Sequence, residues 1–422
     1  MAASSRVQIS LAALTMEFSR KKNFYVVLFL TAVLVTGFSF ISVPVENTEI
    51  SLASVANSQR ITTQNVAQEA VTPVVPVEIP PEKLSNPPEI IKAVYVTGWS
   101  AGSKSYLNYL TNLFKTTEIN AVVIDIKDYS GIVSYPSMIP NINALVKFFH
   151  NQNIYVIGRI VVFEDPAFSK IRPDLAIFDK TLLKSPGQVK TAKELWLDNH
   201  KLSWLDPASE EVWDYNISIA KNVLSRGFDE INFDYIRFPS DGKTRNMGFP
   251  VWNQKTARRT VLKNFFRYLR QELPDAKLSA DLFGQTTVNS DDLGIGQVLE
   301  DSLEYFDFVS PMVYPSHYAT NFMGFKNPAE YPYEVIKHSL ATALTRLEKY
   351  TPGVSADTPG VYKLAKLRPW LQDFNMGAIY TAEMVKLEIK ASQDALKNEY
   401  NGYMLWNPSN IYTKEAIKKI ID

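Results

Sequence analysis

Two aspartates of this chain alternate with apolar, strand-forming residues, and each has a polar residue two positions before it. Asp234 ends the segment Asn232-Phe233-Asp234, and Asp281 ends Ser279-Ala280-Asp281. Side chains two positions apart on a strand share a face, so each aspartate lies on the polar face of its strand. Two carboxyl groups, one ionised and one protonated, can act together as a nucleophile and a general acid/base. We therefore predict Asp234 as a nucleophile and Asp281 as its general acid/base.

Further polar residues share these faces or end neighbouring apolar runs, and we predict that they bind the substrate. Asp125, Asp128 and Asp373 are also reserve candidates for the acid, Asp373 only if its strand has ended or bulged. The predicted substrate-binding residues are Asp125, Lys127, Arg159, Asn232, Arg237, Tyr314, His317, Gln372 and Trp406.

A structural role competes with the binding role for several of these residues. Buried charges need partners, so Lys127 or Arg159 can serve to neutralise Asp125. Arg237 can form a salt bridge at the rim, where its contribution to stability would be small. Trp406 can pack in the core instead of stacking on a sugar ring. These alternatives stay open at the level of sequence.

The elements that must position these residues are short β-branched runs that alternate with amphipathic helical stretches. This alternation predicts parallel βα units, and eight of them fit one α/β domain, a (β/α)₈ TIM barrel. An open doubly wound sheet is the alternative, but Gly98-Trp99-Ser100-Ala101-Gly102 is not its phosphate-binding fingerprint. The eight predicted strands are Ala93–Trp99, Ala121–Asp128, Tyr155–Phe163, Glu230–Pro239, Leu278–Gly284, Phe306–Pro315, Leu367–Phe374 and Gly402–Asn407.

The helical stretches have end signals, most clearly between the third and fourth strands. Asp206 is a suitable N-cap, Pro207 suits the first turn and Gly227 suits the C-terminal stop, so we predict a helix over Pro207–Arg226. In a barrel, apolar residues such as Ile231 and Phe233 face these helices, and the alternate set faces inward. Barrel enzymes have their active sites at the C-terminal ends of the strands.

The N-terminal part predicts a membrane anchor and a tether. Residues 23–43 contain no charged residue and are long enough to span a bilayer, while Arg20, Lys21 and Lys22 keep residues 1–22 in the cytoplasm. Residues 44–89 are rich in Pro, Ser, Thr and Val, as in a flexible linker. The barrel, residues 90–422, is then extracytoplasmic at the cell membrane. A cleaved signal peptide is the alternative and also implies export.

Composition excludes several classes of function. Lys plus Arg equals Asp plus Glu, 44 each, which does not suggest a nucleic-acid partner. Cysteine is missing from the sequence and the four histidines have no metal-ligand spacing, so we expect no metal and no cofactor. The same lack of a histidine pattern weighs against a metal-dependent polysaccharide deacetylase.

Four motifs carry a resemblance to a known family. From about Lys92 to the C-terminus the chain resembles a bacterial family of glycoside hydrolase domains, distantly similar to the α-amylase-like barrels. The motifs are Gly227–Pro239 (GFDEINFDYIRFP), Ser310–Tyr318 (SPMVYPSHY), Arg368–Phe374 (RPWLQDF) and Trp406-Asn407-Pro408.

The resemblance implies a barrel fold and a carbohydrate substrate. In α-amylase-like barrels an aspartate on strand four is the nucleophile, which here corresponds to Asp234. The relatives usually have an arginine two positions earlier and a glutamate acid on strand five, where this chain has Asn232 and Asp281. We expect an exported, membrane-anchored glycoside hydrolase that acts on an extracellular or cell-wall polysaccharide with retention of configuration. The alternative is a catalytically inactive barrel that binds such a polymer.

Overall fold

A computed structural model describes residues 80–185, 190–351 and 364–419. Eight parallel strands form the centre of this part of the chain, as the sequence predicts. We number them β1 to β8, and a two-residue segment, Lys366–Leu367, precedes β7. The strands are β1 Ile91–Val96, β2 Ala121–Lys127, β3 Tyr155–Val161, β4 Glu230–Asp234, β5 Lys277–Phe283, β6 Phe308–Met312, β7 Trp370–Gln372 and β8 Gly402–Trp406.

The strands close into a barrel. Each strand from β1 to β6 pairs with the next, β8 pairs with β1 and β7, and Trp370 of β7 pairs with Met312 of β6. This closure confirms the predicted TIM-barrel architecture over the open sheet. Strand β4 ends earlier than predicted, because Tyr235 has a positive φ of 52° and leaves the extended conformation.

Helices lie between the strands in sequence and cover the outer surface of the barrel. The helix predicted over Pro207–Arg226 is shorter than expected, because Ser209 caps it and accepts a hydrogen bond from the Val212 amide. Asp206 instead accepts hydrogen bonds from the amides of Val251 and Trp252. The helices are α1 Gly98–Ala101, α2 Lys104–Thr116, α3 Ile142–His150, α4 Pro166–Ile171, α5 Glu210–Leu224, α6 Arg258–Glu272, α7 Leu299–Leu303, α8 Pro332–Lys349 and α9 Ala382–Leu396.

The strand faces separate into two cores, which confirms the predicted alternation. The larger core lies between strands and helices and includes Ile231 and Phe233 of β4. The smaller core fills the barrel interior and includes Val123, Ile157 and Met404. Consequently the polar residues that alternate with the outer set point into the barrel.

Lys127 is an exception, and its predicted inward position is wrong. A register irregularity between Asp125 and Lys127 pairs Lys127 with Ile160, which belongs to the outer core. Lys127 is fully buried there, and its Nζ lies 2.6 Å from the Asp165 carboxylate. Tyr215 of α5 completes the surroundings through a cation–π contact. Lys127 is therefore part of a buried ion pair outside the barrel interior, which gives no support to substrate binding.

The last residues of the predicted tether lie against the barrel. The Leu84 amide donates to Asp229 Oδ1 at 2.7 Å, and the Leu84 side chain packs against the interior core. The predicted anchor at residues 23–43 and most of the tether lie outside the described residues and stay predictions. Within the described residues, none of the helices has the length and apolar character needed to cross a bilayer.

Candidate active site

Asp234 is the last residue of β4, at the C-terminal mouth of the barrel. Its Oδ2 accepts hydrogen bonds from Arg159 Nη2 at 2.6 Å and Nε at 3.2 Å. Its Oδ1 accepts the backbone amide of Tyr235 at 2.6 Å. The positive φ of Tyr235 aims that amide at the carboxylate, and such backbone strain is concentrated at functional sites. In every one of these contacts Asp234 is the acceptor, so three hydrogen bonds hold its two carboxyl oxygens in place.

Arg159 connects Asp234 with the other side of the interior. Its Nη1 donates to Asp125 Oδ1, and the Tyr95 hydroxyl donates to Asp125 Oδ2, each at 2.5 Å. Burial raises the pKa of Asp125, and the Arg159 charge opposes that rise. Asp125 and Arg159 thus form a structural ion pair, which is the alternative to their predicted role in substrate binding. Through Arg159 this pair also fixes the position of Asp234.

Asp281 lies on β5, beside Asp234, but below the surface of the mouth. Its Oδ1 accepts hydrogen bonds from Asn232 Nδ2 and Trp370 Nε1, both at 2.8 Å. Burial, followed by the negative charge of Asp234, raises the pKa of Asp281 well above its usual range. The residue is 1% exposed and its Oδ2 has no hydrogen-bond partner among the described residues. The raised pKa favours the protonated form that an acid requires, although neighbouring side chains cover the carboxyl group.

The loop after β6 contributes Tyr314 and His317 to the mouth. Tyr314 is buried in the interior core, near enough for the charges of Asp281 and Asp234 to raise its pKa further. His317 is exposed and its Nδ1 lies 3.0 Å from the Ser316 hydroxyl. Gln372 is fully buried and its Oε1 accepts from that hydroxyl at 2.8 Å. Gln372 thus anchors the loop that carries His317, and these contacts give it a structural role instead of a ligand-binding one.

Trp406 ends β8 and is partly exposed at the mouth. Its ring stacks on Tyr95 with a centroid separation of 3.9 Å and meets Trp370 edge-on at 5.7 Å. Arg159 lies 5.2 Å from its centroid. Tyr95 covers one face of the indole, so a sugar has access only to the remaining exposed part.

The contacts of Arg237 and Asp373 do not correspond to the roles predicted for these residues. The Arg237 guanidinium is largely buried among aromatic rings, 4.7 Å from Trp204 and 4.8 Å from Phe283. It therefore neither forms an exposed rim salt bridge nor hydrogen-bonds Asp234. Asp373 accepts hydrogen bonds from the Thr413 amide and hydroxyl, and burial raises its pKa to about 6.

Asp128 is the remaining reserve acid. Asp128 Oδ1 accepts local hydrogen bonds from the Ser130 amide and hydroxyl at 2.9 and 2.5 Å. Within residues 80–185, 190–351 and 364–419, His, Asp and Glu do not cluster into a group that could hold a metal ion.

Glu164, which the sequence reasoning did not select, lies three residues beyond the end of β3. It is 3% exposed, and burial raises its pKa to about 8, with Asp198, Asp234 and Asp241 adding to the rise and Arg237 opposing it. The available signal was its place in Phe163-Glu164-Asp165-Pro166, directly after a strand and at the start of a long insertion.

The fold and site define a TIM barrel with a cluster of carboxyl groups at the end where barrel enzymes have their active sites. Residues 93–412 match the family described as "Putative glycosyl hydrolase domain". The chain belongs to this family, which confirms the resemblance of the sequence motifs.

Two solved structures are similar to this chain. A hypothetical protein from Ruminiclostridium thermocellum is 38% identical over 48% of this chain and 98% of its own, with a TM-score of 0.39. The PgaB (BpsB) glycoside hydrolase domain from Bordetella bronchiseptica is 14% identical over 76% of this chain and 95% of its own, with a TM-score of 0.52. The latter therefore shares the fold. No curated protein matches the sequence.

We expect Trp406→Ala to weaken oligosaccharide binding far more than it lowers the melting temperature, if the exposed part of the indole stacks on a sugar. Trp406→Phe keeps an aromatic face and is the matched control. Isothermal calorimetry and thermal melting of both variants measure the two effects. A Trp406→Ala protein that is destabilised by roughly 3–5 kcal/mol, as for core truncation, yet binds sugar normally would refute the stacking role.

Proposed function

We propose that this protein is an exported, membrane-anchored glycoside hydrolase that acts on an extracellular or cell-wall polysaccharide. The observation that carries the proposal is Asp234, a carboxylate held by Arg159 and the Tyr235 amide at the mouth of the barrel. Such fixed donors hold the carboxylate oxygen in place for attack on a sugar carbon. Family membership supports the glycoside hydrolase class.

The proposed reaction is a two-carboxylate displacement with retention of configuration. Asp234 attacks the anomeric carbon and forms a glycosyl-enzyme intermediate, while a protonated carboxyl group gives its proton to the leaving oxygen. Asp281 is the partner predicted from the sequence, and its raised pKa suits a proton donor. Asp281 is 1% exposed, so neighbouring side chains must move before it can touch a bound sugar.

A glycan screen tests the proposed function. The full-length chain and its Asp234→Asn variant are incubated with cell-wall and extracellular polysaccharides, and released reducing ends are measured. We expect hydrolysis by the wild type alone. Binding without hydrolysis by the wild type would favour the inactive carbohydrate-binding barrel instead.

Export leads to a separate expected result. Protease added to intact cells with an accessible surface should release the barrel by cutting within residues 44–79, ahead of the part that packs on the barrel. The reason is that the charges of Arg20, Lys21 and Lys22 direct the barrel out of the cytoplasm. Immunoblotting of cells and supernatant measures the release, with a cytoplasmic protein as control. Full protection of the barrel would contradict the predicted topology.

A further inference from the structure

Glu164 is a buried carboxyl group to which no described residue donates a hydrogen bond. Its residue exposure is 3%, and the nearby Arg237 donates instead to the Phe238 carbonyl and the Ser240 hydroxyl, both at 3.2 Å. Burying a polar group without a partner is costly, so such a group calls for a function or a ligand. Asp281 Oδ2 is sealed from solvent and has no hydrogen-bond partner in the described part of the chain. Neither carboxyl oxygen of Glu164 is sealed from solvent and unpaired in this way. Because no described residue donates to Glu164 either, its carboxyl oxygens keep some contact with solvent.

An irregularity after β3 brings Glu164 to the inner side. Val161 pairs with the inward-facing Asp234, so simple alternation would turn Phe163 inward and Glu164 outward. Instead, both Val162 and Phe163 belong to the outer core, and the Phe163 ring lies 5.2 Å from Phe265 of α6. The alternation is thereby reversed, and Glu164 faces the same side as Asp234.

The backbone holds Glu164 close to the end of β4. The Val162 amide donates a hydrogen bond to the Asp234 carbonyl at 2.9 Å. The backbone of Glu164 forms a β-bridge with Trp204, and the Arg237 guanidinium lies over the Trp204 ring. Glu164 lies three residues beyond the level of Asp234, which is at most about 10 Å along a strand. A glutamate side chain is long enough to cover part of this offset, which is compatible with the separation of roughly 5–9.5 Å in glycosidase carboxyl pairs.

We propose that Glu164 is the general acid/base that works with Asp234, and that Asp281 is a buried neighbour rather than the proton donor. This inference rests on the proposed glycoside hydrolase function. The distinction is geometric: the Glu164 oxygens keep some contact with solvent and have no donor among the described residues, whereas Trp370 and Asn232 bind Asp281 Oδ1 and its Oδ2 is sealed.

The chemistry follows from these positions. Glu164 transfers its proton to the glycosidic oxygen as the bond from that oxygen to the anomeric carbon breaks, and Asp234 forms a new bond to the same carbon. The Glu164 carboxylate then takes a proton from water, whose oxygen displaces Asp234 and regenerates both groups. The acid must start protonated, and a pKa raised to about 8 keeps Glu164 so at neutral pH.

The pH dependence gives a signature that a purely structural residue would lack. Burial raises the pKa of Glu164, the charges of Asp198, Asp234 and Asp241 add to it, and Arg237 lowers it. The proton is therefore lost as pH rises through about 8, and kcat/KM should fall there. Glu164→Gln should remove this descending limb, because its amide does not titrate.

The experiment compares full-length wild type with Glu164→Gln, Asp281→Asn and the control Glu118→Gln. Glu118 lies outside the barrel mouth, where it binds Lys92 and Tyr403. Each is assayed on a polysaccharide and on an aryl glycoside whose leaving group needs little protonation. We expect Glu164→Gln to lose on the order of 10²–10⁴-fold on the polysaccharide and much less on the aryl glycoside. Azide should restore turnover of Glu164→Gln and yield a glycosyl azide.

The outcomes separate this inference from the proposed function. If Asp234→Asn is inactive while Glu164→Gln keeps wild-type polysaccharide activity and the same pH profile, the hydrolase stands and the assignment of Glu164 falls. If the leaving-group dependence and azide rescue appear in Asp281→Asn instead, Asp281 is the acid/base. A wild type that hydrolyses no glycan overturns both proposals.

Discussion

Asp234→Asn should abolish hydrolysis while the fold survives. The amide keeps the size of the side chain but lacks the charge that attacks the anomeric carbon, so kcat/KM should fall on the order of 10³-fold or more. Folding should tolerate the change because Arg159 retains its ion pair with Asp125. Initial rates of glycan hydrolysis and thermal melting of the full-length chain measure the two effects.

The matched control for Asp234→Asn is Asp275→Asn. Asp275 is exposed just before β5, at the opposite end of the barrel from the mouth, so the same chemical change there should leave the rate unaltered. Hydrolysis by Asp234→Asn at the wild-type rate would show that another residue is the nucleophile. Loss of activity together with loss of the folded state would show a structural role for the Asp234–Arg159 pair.

The faces of the central strands could be predicted because their alternation is regular. Ile231 and Phe233 must face the helices, which leaves Asn232 and Asp234 for the interior, and the structure has this arrangement. The same reasoning failed for Lys127, because the register of β2 against β3 shifts by one residue immediately before it. A bulge changes the face of every residue after it, and a local pattern of apolar residues does not reveal where it occurs.

The pairing of Arg159 with Asp125 was anticipated from the sequence, but the other partners of the site residues come from strands that are distant in sequence and could not be predicted. The resemblance to α-amylase-like barrels implies an arginine two positions before the nucleophile, where this chain has Asn232. The structure provides the positive charge from Arg159 on β3, and Asn232 turns to Asp281. Trp370 reaches Asp281 from β7, and this contact depends on closure of the barrel.

Arg368→Met should cause the largest loss of stability. Arg368 and Glu230 are both fully buried in the barrel interior and form an ion pair, while the Tyr155 hydroxyl donates to Glu230 at 3.2 Å. Removing the guanidinium leaves the Glu230 charge without its counter-ion in a dry interior, which typically costs about 3–5 kcal/mol. Chemical denaturation of the full-length chain measures the free energy of unfolding.

The double variant Glu230→Gln/Arg368→Met separates charge from packing. Because it buries no charge, it should recover most of the stability that Arg368→Met loses, whereas a cavity left by the arginine would persist in both proteins. Glu230 begins β4, four residues before Asp234, so the pair lies at the end of the interior away from the proposed reaction. The double variant, where it is folded, should therefore hydrolyse glycans at close to the wild-type rate. A loss of less than about 1 kcal/mol in Arg368→Met would mean that water or rearranged side chains solvate Glu230, and that this layer is not the dry interior that the geometry indicates.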